Sequence, residues 1–472
     1  MNGTNERLHP DQTDVDSTSD PIVDPAGQPG RRTGPARATH PVLYALGMLG
    51  LTIPGQMYTA YATFFYNDKL RLPLYMISLG MVFFTIWDAF NDPLVGFLSD
   101  RTRTRIGRRR PWLLAGAPLF CLFYILFFTP PAGLDVVPLA IWFTVFLMLL
   151  ETMGTVTGTN YHSLFPELFR GGRQRTFANA LRQALQLVGM IIGVSLTPTL
   201  AERFGYPATA AFLSILGMSL LMLSTLNAHE DPDFIETKTP GLKESMLAVA
   251  KNRNFWTVAF ANFFYQATAG LLLAAIPYFV KYALGLRDGD ATYLTAAVFV
   301  TAIPAMILWA RLINRFGALR VWQAALGFLG LSVIPMFFVR SLVPAMLFGA
   351  LVGIGIAGVT ANIDLINAKI IDADAAESGL RREGIYISAI SFLIRFSGFV
   401  RSLIFLLITL VFGFVDSSRT GDHPDLAARF MFSVFPVVLM AVSWLIARLV
   451  RFEDSRGNPA GEGAAASPSR HG

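Results

Sequence analysis

Apolar residues dominate the chain in long blocks that short polar stretches separate. Twelve of these blocks are close to the ~20 residues that an α-helix needs to cross a bilayer. Because a segment in lipid must satisfy its own backbone hydrogen bonds, the blocks predict helices and not isolated strands. The blocks cover residues 41–66, 74–100, 112–129, 137–166, 178–200, 206–227, 254–284, 291–313, 321–339, 342–371, 384–414 and 428–450. The pattern therefore predicts an all-α membrane protein with twelve transmembrane helices.

Composition supports this prediction and narrows the class of protein. The chain of 472 residues is 53% hydrophobic and 15% charged, whereas soluble domains carry about 25% charged residues. This excludes an ordinary soluble enzyme, a disordered protein and a fibrous protein. The single cysteine, Cys121, excludes a disulfide framework and a zinc site built on cysteines. The sequence also lacks HExxH, GxSxG and P-loop motifs, so we predict neither an enzyme nor a cofactor.

The longest polar stretch between spans divides the twelve helices into six plus six. A loose repeat supports the division, because residues 96–101 after the second helix of one half resemble residues 310–315 in the other. Two such halves, with a solute site between them, are typical of secondary transporters. We predict a disordered tail, an N-terminal half, a linker, a C-terminal half and a second disordered tail. Their bounds are 1–40, 41–227, 228–253, 254–452 and 453–472.

Arginine residues concentrate in the loops after the predicted helices 2, 4, 8 and 10. They are Arg101, Arg103, Arg105, Arg108, Arg109, Arg110, Arg170, Arg173, Arg175, Arg315, Arg320, Arg381 and Arg382. Such loops lie on the cytoplasmic side of membranes, and an even number of spans puts both termini on one side. We therefore predict a multi-pass protein of the bacterial inner membrane with cytoplasmic termini. The net charge of +6 then reflects topology and not a nucleic-acid partner.

Two carboxylates inside the predicted helix 2 indicate a cation site. Asp88 and Asp92 are four residues apart and share a helix face. Two acids this close in a medium of low dielectric need a cation or a shared proton. Asn91 and the carbonyl that Pro93 frees add oxygen atoms. Alternatively, both acids lie near a helix end and bond to backbone or arginine. We predict a coupling ion, Na⁺ or H⁺, at this pair, and the two acids are the metal ligands if the ion is Na⁺.

Other charged residues in the predicted spans also need an explanation, because an ionisable side chain in lipid is costly. They are Glu151, Arg182, Asp364, Arg395 and Arg401. For each of them, pairing within the helix bundle and contact with a ligand are both open. At the end of helix 2, Asp100 with Arg101 and Arg105 predicts a charge network that locks the two halves together. The alternative is that these arginines fix topology only.

The segment from Trp87 to Trp112 resembles the hallmark segment of the glycoside–pentoside–hexuronide:cation symporters, the family that includes the melibiose permease. Weaker matches occur at residues 66–68, at 161–168 and at 382–386. The resemblance covers essentially everything between the tails. It implies the major facilitator fold of two six-helix halves, in which a solute and a coupling cation cross together by alternating access.

The resemblance also implies roles for individual residues. The family's cation carboxylates match Asp88 and Asp92, and Asn91 and Thr155 match neighbouring polar positions. Arg182 matches an arginine at the substrate site, and Arg395 stands where the family usually has a lysine. The residues expected to form the gate at the arginine-rich side are Asp100, Arg101, Arg105 and Glu383.

Departures from the melibiose permease bear on the substrate. Thr52 and Gly158 replace two sugar-binding aspartates, and His162 replaces a tryptophan that stacks on the sugar. Because acids are lost while arginines remain, an anionic solute such as a hexuronide is favoured over a neutral galactoside. We place Thr52, Gln56, Gly158, His162, Arg182, Asp364 and Arg395 at the solute site. An amphiphile with an anionic head is the alternative, since the same branch resembles animal lysolipid transporters.

The arginine at position 395 also bears on the coupling ion. Arginine is effectively never deprotonated, so proton coupling would have to run through Asp88 and Asp92. The sequence leaves Na⁺ and H⁺ open. A solute receptor that does not transport is disfavoured because both carboxylates are present. We predict a small solute and the lipid bilayer as partners, and a chain that functions as a monomer.

Overall fold

The computed structural model describes residues 39–169, 172–229, 252–378 and 383–450. Over these ranges the chain forms fourteen α-helices and no β-strand longer than a single bridge. The helices are α1 Pro41–Phe64, α2 Leu74–Arg101, α3 Arg110–Phe128, α4 Val136–Leu168, α5 Gly172–Ile191, α6 Thr197–Asn227, α7 Arg253–Tyr278, α8 Ala291–Phe316, α9 Ala318–Val333, α10 Leu342–Ser378, α11 Glu383–Arg395, α12 Ser397–Phe412, α13 Pro424–Arg429 and α14 Phe435–Ala447. Short π-helical turns extend or join some of them, at Phe65–Lys69, Ile192–Leu196, Phe279–Ala283 and Phe430–Val434.

The fourteen helices make the twelve predicted spans. The eleventh span consists of α11 and α12, which a break at Phe396 separates, and the twelfth consists of α13 and α14. Within the described ranges, nine helical runs are long and apolar enough to cross a membrane, and one of them, Phe177–Asn227, holds two spans. α1 is not in that group, and the described part of α2 adds a shorter apolar stretch, Leu74–Asp88. The predicted all-α fold is confirmed.

A kink at Gly205 separates the fifth and sixth spans within that continuous run. Its backbone has φ +82° and ψ +157°, a conformation that residues with a Cβ atom rarely adopt. Pro207 follows two residues later and also cannot continue a regular helix. The predicted boundary between 200 and 206 therefore falls on this kink.

Helix packing places α1 at the centre of the N-terminal half. α1 packs on α5 and α6, α2 packs on α4, and α3 packs on α4 and α6. In the C-terminal half, α8 and α9 pack on α10, and α7 packs on α14. Between the halves, α2 meets α12 and α1 meets α7. The domain bounds stay a prediction, because residues 1–38, 230–251 and 451–472, with most of the linker and tails, lie outside the described residues.

Reciprocal tyrosine hydrogen bonds hold α1 against α4. The Tyr44 hydroxyl donates to the Tyr161 carbonyl at 2.6 Å, and the Tyr161 hydroxyl donates to the Tyr44 carbonyl at 2.9 Å. The two rings stack with centroids 4.7 Å apart. Buried hydroxyls need such partners, and here each helix supplies the partner for the other. The contact fixes the register of two helices that carry polar residues toward the centre of the molecule.

The crossing of α1 and α6 depends on two glycines. A Cβ atom on Gly50 would lie 2.3 Å from the Gly217 carbonyl oxygen, and one on Gly217 would lie 2.5 Å from the Gly50 carbonyl oxygen. We expect Gly50→Ala to lower the free energy of unfolding by about 1–3 kcal/mol, because the two backbones must separate. Thermal unfolding in detergent measures the effect.

Gly55→Ala is the matched control for that variant. Gly55 lies on the same helix, and a Cβ atom there would meet nothing within 4 Å. Since alanine has a higher helix propensity than glycine, this variant should unfold at the wild-type temperature or above it. Equal melting temperatures for the two variants would contradict the proposed close contact.

Candidate functional site

An ion pair between the two halves lies at the predicted cation site. Arg395, the last residue of α11, places its Nη1 atom 2.7 Å from Oδ2 of Asp88 on α2. The two side chains are 27% and 13% exposed, so water screens the charges only partly. Intramembrane charges commonly pair in this way. The structure therefore brings together two of the residues that the sequence analysis singled out, one from the cation set and one from the solute set.

The neighbourhood of Asp88 is described only in part. Asn91 is buried on the same helix, and its Nδ2 atom has no hydrogen-bond partner among the described residues. The side chain of Asp92 lies outside those that the structure describes, so sharing of an ion by the two acids stays a prediction. Trp87 donates to the Thr152 hydroxyl at 2.9 Å and holds α2 against α4. Thr155 is half-buried three residues further along α4.

A second set of charges lies between the halves near this ion pair. Tyr58 on α1 and the Glu151 carboxylate on α4 lie within electrostatic reach of each other. Arg401 on α12 is within electrostatic reach of both groups. Nevertheless, no ion pair within 4.0 Å joins Glu151 to Arg401 in the described ranges. Sequence reasoning noted both charges and left pairing within the bundle and contact with a ligand open for each.

Arg182 and His162 form a separate group with aromatic neighbours. The Arg182 guanidinium lies over the Phe165 ring, 4.4 Å from its centroid, and donates to Asn179 Oδ1 at 3.2 Å. It also contacts the hydroxyl of Tyr44. His162 is exposed, and its ring meets Tyr161 edge to face. Both predicted solute residues thus lie beside the tyrosine contact of α1 and α4, and the ion pair of Asp88 is a different cluster.

The three remaining N-terminal solute candidates differ in their surroundings. Thr52 is buried, its hydroxyl donates to the Met48 carbonyl at 2.7 Å, and its side chain packs on Gly189. Gln56 has a buried Oε1 atom without a hydrogen-bond partner among the described residues. A Cβ atom on Gly158 would meet nothing within 4 Å. The Thr52 hydroxyl is thus engaged within its own helix, and contact of Gln56 and Gly158 with a solute stays a prediction.

Asp364 lies in the wall of a cavity of about 550 Å³ between α7, α10 and α11. This volume is within the range of small-molecule sites. Amide and hydroxyl side chains share the wall, namely those of Asn262, Gln266, Asn367 and Ser391. Asn262 is buried, and its Oδ1 atom accepts no hydrogen bond from the described residues. The polar stripe that the sequence showed around Asp364 therefore borders open space.

At the arginine-rich end, the described ion pairs lie within the N-terminal half. Arg108 and Arg109 bind Glu167 Oε1 at 2.6 Å and 2.9 Å and so connect α4 to the start of α3. Arg101 and Arg105 of the predicted gate are exposed. The side chains of Asp100 and Glu383 lie outside the described set, so the gate at this end stays a prediction. Sequence reasoning placed Glu167 in a family motif but did not predict its two partners.

The opposite end carries a charge cluster that joins the halves, which we call the Asp68 latch. It consists of Asp68 in the π turn after α1, Lys281 and Tyr282 in the π turn after α7, and Ser417 in the loop after α12. Lys281 Nζ donates to the two Asp68 carboxylate oxygens at 2.7 Å and 2.6 Å, and the Tyr282 hydroxyl donates to the same carboxylate. Ser417 donates to the Asp68 carbonyl at 2.6 Å. Asp68 itself is only 5% exposed.

Asn67, next to the Asp68 latch, adds hydrogen bonds to backbone carbonyls and to a tyrosine. Its Nδ2 atom donates to the carbonyls of Leu72 at 2.9 Å and Val415 at 2.7 Å, and its Oδ1 atom accepts from the Tyr278 hydroxyl at 3.1 Å. The hydrogen bonds of the neighbouring Asp68 carboxylate are charge-assisted and are therefore stronger than those of the neutral Asn67 amide. Residues 66–68 match the family in sequence, but the sequence did not predict this role. The two halves are therefore joined on the side opposite the arginine-rich loops.

Comparison with known proteins identifies the family. The MFS/sugar transport protein family matches residues 43–454. The isoprimeverose transporter of Lactiplantibacillus pentosus is 24% identical over 434 residues, which cover 87% of this chain and 88% of the transporter. The sodium-dependent lysophosphatidylcholine symporter 1 of Xenopus tropicalis is 22% identical over 86% of this chain and 85% of that protein.

A solved structure supports the fold independently. The crystal structure of a bacterial homologue of the human lysosomal transporter Spinster, inward-facing and unoccupied, superposes with a TM-score of 0.64. It covers 86% of this chain and 96% of the homologue at 14% identity, so it bears on the fold alone. The predicted family resemblance and the predicted major facilitator fold are both confirmed. The chain therefore belongs to the MFS/sugar transport protein family and is a multi-pass membrane transporter, not an enzyme.

Proposed function

We propose that the protein is a secondary active transporter that carries a small organic solute together with Na⁺ or H⁺ by alternating access. The observation that carries this proposal is the ion pair of Asp88 and Arg395, which joins α2 to α11 at 2.7 Å. A carboxylate on one half that binds either an arginine of the other half or a cation can couple ion binding to movement of the halves. The relatives named as a sugar transporter and a sodium-dependent symporter support the same function.

Coupling follows from competition for Asp88. In the structure the Arg395 guanidinium supplies the positive charge that the Asp88 carboxylate needs. Because arginine keeps its proton, the pair is released when a cation binds Asp88 or when Asp88 is protonated. Carboxylate oxygens suit Na⁺, a hard cation, so the chemistry of the acid fits either ion. Release of Arg395 frees the α2–α11 contact and provides a positive charge for the solute site.

We propose a glycoside-like or anionic solute as cargo. The Arg182 guanidinium in the N-terminal half supports recognition of an anion, and the amide-lined wall around Asp364 supports recognition of hydroxyl groups. An amphiphile with a charged head is the second candidate, which the relative named as a lysophosphatidylcholine symporter favours. We further propose that the chain works as a monomer in the bacterial inner membrane with both termini in the cytoplasm.

Uptake into proteoliposomes tests this function. The purified protein is reconstituted, and an inward Na⁺ gradient or an inward H⁺ gradient is applied separately. We expect accumulation of D-glucuronate, a methyl xyloside or lysophosphatidylcholine under one of the two gradients, and loss of accumulation when an ionophore collapses it. Equal uptake with and without either gradient would contradict symport.

A further inference from the structure

Arg401 is a half-buried cation in the span Ala389–Phe412. Its Nε atom is shielded from solvent and makes no hydrogen bond to any described residue. A Cβ atom on Gly270 of α7 would lie 3.6 Å from Nη1 of Arg401, so the guanidinium lies beside a position without a side chain. An arginine in this environment is costly unless an anion compensates it.

Neither Asp88 nor Glu151 supplies that compensation. Asp88 already binds Arg395 at 2.7 Å. Glu151 is within electrostatic reach of Tyr58 and Arg401, but within the described part of the chain it forms no ion pair with Arg401. Among the described residues, no carboxylate contacts Arg401, which lies beside Gly270 of α7 and within electrostatic reach of Tyr58 and Glu151 of the other half. The proposed coupling mechanism makes no use of Arg401.

We propose that Arg401 binds an anionic oxygen group of the transported solute. The Tyr58 hydroxyl then donates a hydrogen bond to a neighbouring polar group of the solute, and the Glu151 carboxylate accepts one. This inference rests on the proposed transport function and specifies its solute. The planar guanidinium matches carboxylate, sulfonate and phosphate oxygens with two parallel hydrogen bonds. A neutral sugar could not compensate the charge. Arg401 then holds the anionic group of the cargo, and Arg395 links binding of the coupling ion to the solute site.

Two kinds of solute present this chemistry, namely sugar acids through a carboxylate and lysolipids through a phosphodiester. Residues from both halves contribute to the locus, since Tyr58 and Glu151 belong to α1 and α4 whereas Arg401 belongs to α12. A solute bound there would bridge the halves as they move. Such a position explains why the guanidinium lies at the interface between the halves and not at the lipid-facing surface.

Binding measurements on purified variants test the proposal. Arg401→Gln and Arg401→Lys are compared with wild type by calorimetry, using D-glucuronate, lysophosphatidylcholine and methyl glucoside as probes. We expect wild type to bind one of the two oxyanions and not the neutral glucoside. Arg401→Gln should weaken that binding at least about tenfold, because a desolvated charge pair is lost. Arg401→Lys, which keeps the charge without the planar fork, should give an intermediate affinity.

Arg340→Gln is the matched control, because Arg340 lies exposed in the loop between α9 and α10. It should bind like wild type. The proposal is overturned if Arg401→Gln and Arg401→Lys bind the oxyanion as wild type does, if wild type binds neither oxyanion, or if it binds the glucoside equally well. The cation-dependent change in melting temperature is recorded in the same samples. If wild type shows no such change in melting temperature, cation coupling itself is contradicted. If Arg401→Gln keeps the change but loses oxyanion binding, the assignment of Arg401 to the solute is supported.

Discussion

Asp88→Asn is expected to reduce cation-driven solute accumulation by about 100-fold or more. Asparagine keeps the size of the side chain but can neither carry a negative charge nor take up a proton. Removal of one partner from a buried ion pair commonly costs about 3–5 kcal/mol, and here it removes the contact between Arg395 and position 88 across the two halves. Uptake into proteoliposomes and the cation-dependent shift in melting temperature measure the loss.

Two further variants make this prediction specific to the ion pair. Asp135→Asn removes an exposed carboxylate at the start of α4 and should behave like wild type. Arg395→Gln should increase the apparent affinity for the coupling ion, because the competing guanidinium is absent. A cation-dependent melting shift of wild-type size in Asp88→Asn would show that the ion binds elsewhere.

Asp68→Asn is expected to open the side of the molecule opposite the arginine-rich loops. The carboxylate accepts two hydrogen bonds from Lys281 and one from Tyr282, and hydrogen bonds to charged groups contribute about 1.5–3 kcal/mol each. Loss of the charge should increase the open population at least about tenfold. A thiol introduced as Thr63→Cys in a Cys121→Ser background reports the open population. Thr63 is only 3% exposed near the latch, so its thiol becomes accessible when the halves separate there.

The measured quantity is the rate at which a membrane-impermeant maleimide labels the introduced thiol. We expect faster labelling in Asp68→Asn than in the parent. Asp422→Asn is the control, since Asp422 is exposed in the loop that carries Ser417. Identical labelling rates for the parent and for Asp68→Asn would show that the carboxylate does not hold the halves together.

The helices could be predicted from sequence because lipid leaves few alternatives. A span needs a minimum apolar length and internal hydrogen bonds, so the twelve blocks lead directly to twelve spans. The break at Phe396 could not be predicted, because neither proline nor glycine stands at that position. The π turn after α1 likewise has no local signal, since the residues Phe65–Lys69 would also suit an ordinary helix end.

The site was predictable where a single residue is costly by itself. Asp88 stands out because a carboxylate in a span needs a partner, but its partner lies 307 residues away in the chain. Asp68 was not assigned a role, because an acid at the end of a span is ordinary and Lys281 is 213 residues distant. Arg401 was noted only as a charge. The sequence could not show that no described acid contacts it, because this depends on how four helices meet.

The pairing of Asp88 with Arg395 has an electrical consequence. In the empty carrier these two charges cancel, so the Asp88–Arg395 pair itself moves no net charge when the empty protein reorients. With a monovalent cation on Asp88, the same group carries one positive charge. A membrane potential of 100 mV is worth about 2.3 kcal/mol for each charge that crosses the whole field. Voltage that is negative inside should therefore accelerate the inward step of the loaded carrier and leave its empty return unaffected at this site.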